Sequence, residues 1–264
     1  MALPVKGRVN VLGVGVDPLT VEDLHAEIGR LVRGSKRALV LNANAKCLNL
    51  CHEDPALRDF LNQAEIVLCD GAGVMLAARI LGRHIPERIT YADWAWQLAA
   101  FAAAEGFSLY FLGARPGVAE DAARRLQQRY PKLKIAGAHH GYFDHSVGSP
   151  ENEAVLQEIN ASSPDILLIG LGMPLQEYWL MENQHNLNAG VVLTGGAVFD
   201  YVAGRLRRGP RLLTESGFEW LARLLIEPRR LWRRYIVGNP LFLLRVLKQR
   251  LSHAHYDARR GGEV

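Results

Sequence analysis

The aspartate at position 70 stands where a carboxylate can do chemistry. Ile66 to Cys69 are four consecutive apolar residues and read as a short buried strand, followed at once by Asp70-Gly71-Ala72-Gly73 and a helix-period run from Val74 to Leu81. A carboxylate at the carboxyl end of a strand, facing a glycine turn and a helix start, lies where open α/β sheets bind ligands. Gly71 lets a substrate come close to the backbone, and the new helix offers unpaired N–H groups to an anion. As a general base Asp70 would take the proton of an attacking hydroxyl. An ordinary Asp, with a pKa of about 3.9, is weak in that role, and partial burial would strengthen it.

Other side chains have types that could serve the same site. Asn42 and Asn44 stand at the end of an expected strand, Ala38 to Leu41. Their amides suit sugar hydroxyls or a uracil edge, with an Asx-bonded turn as an equal alternative. Arg88, in Pro86-Glu87-Arg88, brings a guanidinium to the end of the Asp70 unit. In Gly172-Met173-Pro174-Leu175-Gln176-Glu177, Pro174 fits a first helical turn and Glu177 a positive helix start, so capping accounts for Glu177. Gln176 has no such local task and is the better ligand candidate. Asp200, after Gly195-Gly196, reads as a structural partner for an arginine.

Several chemistries are disfavoured. Gly13-Val14-Gly15 opens like a dinucleotide fingerprint, but Pro18 stands where the third glycine is needed. Gly113-Ala114-Arg115-Pro116-Gly117 is a weak phosphate cradle without the Lys-Ser/Thr of a P-loop. His139, His140, Asp144 and His145 are metal-ligand types in a glycine-containing turn, where a solvated loop is the simpler reading than a zinc site. The chain has no Asp-x-Asp pair to hold a divalent ion on a nucleotide diphosphate. Leaving-group charge then falls to arginines and backbone N–H groups. No metal and no cofactor are expected.

The elements that must position these groups alternate strand and helix through residue 204. They start with a strand at Val9 to Val16 and a helix capped by Thr20, and predict a Rossmann-like, mostly parallel α/β sheet flanked by helices. Residues 205–264 differ: Arg205 to Arg250 carry twelve basic against three acidic residues, while residues 1–204 carry seventeen against twenty-two. The chain therefore reads as a catalytic domain, 1–204, and a basic helical appendage, 205–264. Glu215 to Ile226, Pro228 to Val237 and Pro240 to Leu251 read as three proline-separated helices mixing Trp and Leu with Arg. That pattern suits an interfacial surface on anionic lipid, with a helical cap on the domain as the alternative. In 264 residues, 49% of them hydrophobic, there is enough apolar material for a full core. No apolar run reaches the roughly 18 residues of a spanning helix. Three cysteines make no disulfide framework, which suits a reducing compartment.

With these residues in view, the sequence resembles the WecG/TagA/CpsF family of bacterial glycosyltransferases from about Val9 to Tyr235. The resemblance rests on Asn42-Ala43-Asn44, CDGAGV, PERIT followed by Asp93, LGARPGVAEDAA, GLGMPLQEYW, GGAVFDYVAG and FEWLARLLIEPRRLWRRY. It implies inverting, metal-independent transfer of a sugar from a UDP-sugar to a polyprenyl-diphosphate-linked saccharide, in a peripheral enzyme on the cytoplasmic face of the inner membrane. It also implies Asp70 as general base, with Asn42 and Asn44 beside it. Arg88 and Gln176 would bind substrate, and Arg223, Arg230 and Arg234 of the tail would complete the site. Two positions depart from the family pattern: Tyr91 where Gly is usual, and Gly209 where Ala is usual. No nucleic-acid partner is expected, and the oligomeric state, a homo-oligomer included, stays open. Two rivals are a Rossmann-like nucleotide-binding oxidoreductase, weakened by the missing glycine, and a non-enzymatic binder of anionic ligands, which leaves Asp70, Asn44 and Gln176 without a purpose.

Overall fold

The structure is a computed structural model that describes residues 7–34, 36–206 and 219–260, without the side chains of 219, 222, 223, 230 and 253–260. A six-stranded parallel sheet forms its centre. The strands are β3 (Ala38–Ala43), β4 (Ile66–Cys69), β5 (Ser108–Gly113), β6 (Lys134–His139), β7 (Ile166–Gly170) and β8 (Val191–Thr194), in spatial order β4-β3-β8-β7-β5-β6. Apart from the edge strand β6, their residues are almost wholly apolar because both faces are covered. Alternation along β3 sends Leu39 and Leu41 into one core layer and Ala38 and Val40 into the other. One layer holds α1 (Val21–Val32), α5 (Tyr91–Glu105), α6 (Val118–Arg129) and α9 (Val198–Val202). The other holds α2 (Ala45–Glu53), α3 (Pro55–Gln63), α4 (Ala72–Ile80), α7 (Pro150–Ser162) and α8 (Leu175–Asn183). Each Leu, Ile or Val fully buried there contributes about 1.5–3 kcal/mol. Thr20 caps α1 with a complete capping box to Asp23, as its position before the helix predicts.

Val9 to Val16 is not a single strand of the parallel sheet. It folds into a hairpin, β1 (Val9–Val11) and β2 (Val14–Val16), with Val9 opposite Val16 and Val11 opposite Val14. The turn residues Leu12 and Gly13 both have positive φ, 54° and 89°, the two-residue turn that matches strand twist. An apolar leucine at such a position hides the turn from a hydropathy reading. The hairpin leads to Asp17, whose buried Oδ2 accepts from Val67 N at 2.7 Å while Asp17 N donates to Val67 O at 2.9 Å. The free edge of β4 is thereby covered, and the strand that carries Asp70 is held on both sides.

The C-terminal segment also differs from the three separate helices expected. Its described residues form α10 (Glu219–Ile226), α11 (Pro228–Trp232), a π-helical turn (Arg233–Val237) and α12 (Gly238–Arg260). Pro228 starts a helix, but Pro240 falls just past the π-helical turn, within continuous helical backbone, and does not break it. This arm lies on the sheet domain. Phe242 and Val246 are buried in the same layer as α2 and α4, and Arg245 donates to Asn49 O and Oδ1 and to Glu53 Oε1 at 3.1, 3.0 and 2.6 Å. Gln249 Oε1 accepts from Leu12 N at 2.9 Å, tying the arm to the hairpin turn. Among the described residues no helix is long and apolar enough to cross a membrane.

Candidate active site

A cavity of about 1040 Å³ opens over the carboxyl ends of β4, β3, β8 and β7, with the arm as its further wall. In the parallel register Asn42 pairs with Leu68 and Ala43 with Cys69, and Asp70 N donates to Ala43 O at 2.8 Å. The carboxylate of Asp70 therefore emerges between the two asparagines. Its Oδ2 accepts from Asn42 Nδ2 at 3.2 Å and faces Asn44 Nδ2 at 3.5 Å. Asn42 is itself fixed, because its Oδ1 accepts from buried Thr194 Oγ1 at 2.9 Å. Three strand ends thus form one chain of hydrogen bonds, Thr194 to Asn42 to Asp70, that orients the carboxylate. Asn44 takes the Asx-bonded alternative, its Oδ1 capping α2 by accepting from Lys46 N and Cys47 N, while its amide turns to Asp70.

Gly71 follows with φ 125°, a conformation side chains rarely adopt, so the turn demands glycine even where space would admit a Cβ. The PERIT segment then returns past the strand end. Ile89 N donates to Cys69 O at 2.9 Å, which brings Arg88 and Thr90 to the cavity wall. Burial pushes the Cys69 thiol up to about 12, helped by the Asp70 charge and opposed by Arg88.

Gln176 lies at the cavity but is fully buried, and its amide is committed to protein. Its Oε1 accepts from Gly172 N at 3.2 Å and Gly196 N at 3.0 Å, and its Nε2 donates to Glu177 Oε1 at 2.7 Å. It clamps the loops after β7 and β8 and so shapes the cavity floor. Glu177 exceeds the capping role expected of it. It is buried at the start of α8, its Oε2 finds no hydrogen-bond partner among the described residues, and burial raises its pKa to about 7 against the pull of Gln176 and Lys46. Pro174, expected inside the first turn, stands at the N-cap.

Of the tail arginines, Arg234 lines the cavity, whereas the side chains of Arg223 and Arg230 lie outside the described residues. Lys46, Arg233 and Tyr235 are among the lining residues not singled out in the sequence as site groups. Lys46 Nζ donates to Met173 O at 2.7 Å, and burial followed by the nearby Arg234 lowers its pKa. A lysine in the first turn of α2 opposes the helix dipole, and that conflict was a readable signal. Arg234 stacks over Tyr235, 5.4 Å from its ring centre, and Tyr235 lies 6.1 Å from Trp220. His139 Nδ1 lies 2.7 Å from His140 O, and Asp144 N donates to Glu151 Oε2. Among the described residues no three His, Cys, Asp or Glu side chains converge as a metal site would require.

The arrangement offers an oriented carboxylate, amides and hydroxyls next to it, and cations on Arg88, Lys46, Arg233 and Arg234, all around one space. Comparison with known proteins matches residues 9–256 to the glycosyl transferase WecG/TagA/CpsF family. The chain is also similar to N-acetylglucosaminyldiphosphoundecaprenol N-acetyl-beta-D-mannosaminyltransferase of Staphylococcus aureus strain NCTC 8325 / PS 47, 29% identical over 243 residues that cover 91% of this chain and 92% of the relative. The protein of the same name from strain MW2 is 28% identical over the same length.

Proposed function

The chain belongs to the WecG/TagA/CpsF family and is a glycosyltransferase; from that premise we propose that it transfers an N-acetylhexosamine-type sugar or a hexose from a UDP-sugar to a polyprenyl-diphosphate-linked N-acetylglucosamine, in the synthesis of a cell-surface polysaccharide. The acceptor follows the relatives' name. The observation that carries the reading is the Asp70 carboxylate, held by Asn42 and Asn44 in a cavity that also presents Lys46, Arg88, Arg233 and Arg234. At about 1040 Å³ the cavity has the size for a nucleotide sugar together with an acceptor head.

In the mechanism we favour, the acceptor hydroxyl oxygen forms a bond to the anomeric carbon while the bond from that carbon to UDP breaks. Asp70 takes the hydroxyl proton, and the departing diphosphate takes the bonding electron pair. Displacement in one step converts an α-linked donor into a β product. Arg88, Lys46, Arg233 and Arg234 supply the positive charge the departing diphosphate needs, which makes a metal ion unnecessary. The arm adds a location. Its outward leucines and basic residues suit a peripheral position on the cytoplasmic face of the inner membrane, where a lipid-linked acceptor would be met.

A panel of UDP-sugars with a short-chain lipid-diphosphate N-acetylglucosamine tests the reading, run with and without chelator. Transfer that survives chelation is expected, and chelator-sensitive transfer would overturn the metal-free part. In the same assay Asp70→Asn should lower kcat by about 10²- to 10⁴-fold with UDP binding retained. Near-normal turnover in that variant removes Asp70 from the role of base.

A further inference from the structure

Two consecutive residues of the cavity wall near Asp70 carry hydroxyls with no hydrogen-bond partner among the described residues. Thr90 is the N-cap of α5, a place where a threonine side chain ordinarily accepts from the second or third helical N–H. It makes no such bond: the backbone O of Thr90 takes Asp93 N and Trp94 N at 3.0 and 2.9 Å, and Oγ1 is buried without a hydrogen-bond partner among the described residues. The next residue repeats the pattern. Tyr91 is 4% exposed, and its phenol oxygen is likewise buried and unpartnered. Both residues line the cavity.

The Tyr91 ring is held in place. It meets Trp94 edge-on at 5.1 Å and packs on Gly195 so closely that a Cβ there would come within 3.2 Å of Cδ1. Burial, followed by the Asp70 charge, raises the phenol pKa, so the group is a neutral donor. Buried hydroxyls are nearly always paired, and leaving one unmade destabilises the free protein. Two in consecutive residues that line one cavity mark bonds that a ligand completes.

We propose that the Thr90 and Tyr91 hydroxyls are a specificity-determining corner that hydrogen-bonds the ring substituents of the acceptor sugar next to the hydroxyl Asp70 deprotonates. The inference deepens the glycosyltransferase reading above and rests on Asp70 as its base. A phosphate does not suit this corner, because the Asp70 carboxylate lies close by and repels it. A neutral sugar hydroxyl or acetamido oxygen does suit it. Between the two sugars, the acceptor is the one that must touch Asp70, and Tyr91 is the residue that feels that carboxylate's charge.

The test uses the full chain, the UDP-sugar that supports transfer, and the short-chain N-acetylglucosamine acceptor with analogues that each lack one ring hydroxyl or the acetamido group. For Tyr91→Phe the acceptor KM should rise about tenfold, the loss expected of one hydrogen bond to a substrate, with donor KM unchanged. Because no partner among the described residues is lost, Tm should be unchanged or higher, where a structural role would lower it. One analogue should lose in the wild type what Tyr91→Phe loses and nothing more in the variant. Thr90→Val should behave alike to a smaller degree. An unchanged acceptor KM, a rise that falls on the donor instead, or a lower Tm with KM intact would overturn the inference while leaving transfer itself in place. Absence of transfer with every UDP-sugar would remove the reading beneath it and this inference together.

Discussion

At the ends of β3, β4 and β8 the polar groups around Asp70 are fixed by backbone register and by one another, in the run from Thr194 through Asn42 to the carboxylate. Across the cavity, Arg233, Arg234, Trp220 and Tyr235 ride on helices joined to the sheet domain by one apolar seam around Phe242 and Val246 and by the bonds of Arg245 and Gln249. The first wall is part of the core. The second is an attachment to it. As the proposed base, Asp70 needs the rigid wall, whereas charge proposed to act on a diphosphate tolerates a wall that opens at lower free energy than the whole fold.

Breaking the attachment alone gives the largest effect. Phe242 is 1% exposed, and its ring also approaches the position of a Cβ on Gly73 to 3.8 Å. Phe242→Ala should weaken the seam by about 3–5 kcal/mol. Hydrogen exchange should then speed up in α12 while the amides of β3 and β4 keep their protection. Equal loosening of both would show the arm to be part of the core after all.

Glu177 sharpens the comparison at the junction, since its carboxylate acts on Lys46 and Lys46 neighbours Arg234. Its pKa is raised from 4.5 to about 7, so between those values the folded state holds a proton the unfolded state has lost. Stability falls as pH rises through that window. Glu177→Gln removes the dependence while Gln176 keeps an acceptor. The variant should match the wild type near pH 4 and exceed it by roughly 3 kcal/mol at pH 8, read as urea midpoints at the two pH values. A gain of the same size at both would show that the carboxyl does not titrate in that range.

The smallest effect concerns the outer face of the arm. Leu244 and Leu247 are 57% and 46% exposed, so changing both to Ser should leave Tm within about a degree or two. Flotation with anionic vesicles should nonetheless weaken by about tenfold or more, since each leucine withdrawn from an apolar phase forfeits about 1.5–3 kcal/mol at full burial. Unchanged flotation would make the ridge irrelevant to lipid.

Much of the rigid wall was legible in the sequence. Four apolar residues bounded by Asp and Gly identify β4 to the residue, and Asn42 and Asn44 fall at a strand end because β3 is as apolar before them. What could not be read depended on partners distant in sequence. Gln176 looks idle until the loops after β7 and β8 come together, and Glu177 looks like a cap until α2 brings Lys46 beneath it. The hairpin at Leu12-Gly13 was hidden by a leucine in a conformation that leucine seldom adopts. The arm was legible in composition but not in shape, because a π-helical turn lets α11 continue into α12 past Pro240.

In α12, Leu241, Leu244, Leu247 and Leu251 project on the side away from Phe242 and Val246, and a helix with its side chains is roughly 10–12 Å thick. If that leucine row rests on a bilayer, the helix acts as a spacer of fixed height, and the reacting atoms stand about one helix diameter above the headgroups. A sugar carried on a diphosphate whose hydrocarbon stays in the leaflet reaches that level without being extracted. Encounter then becomes a search in two dimensions.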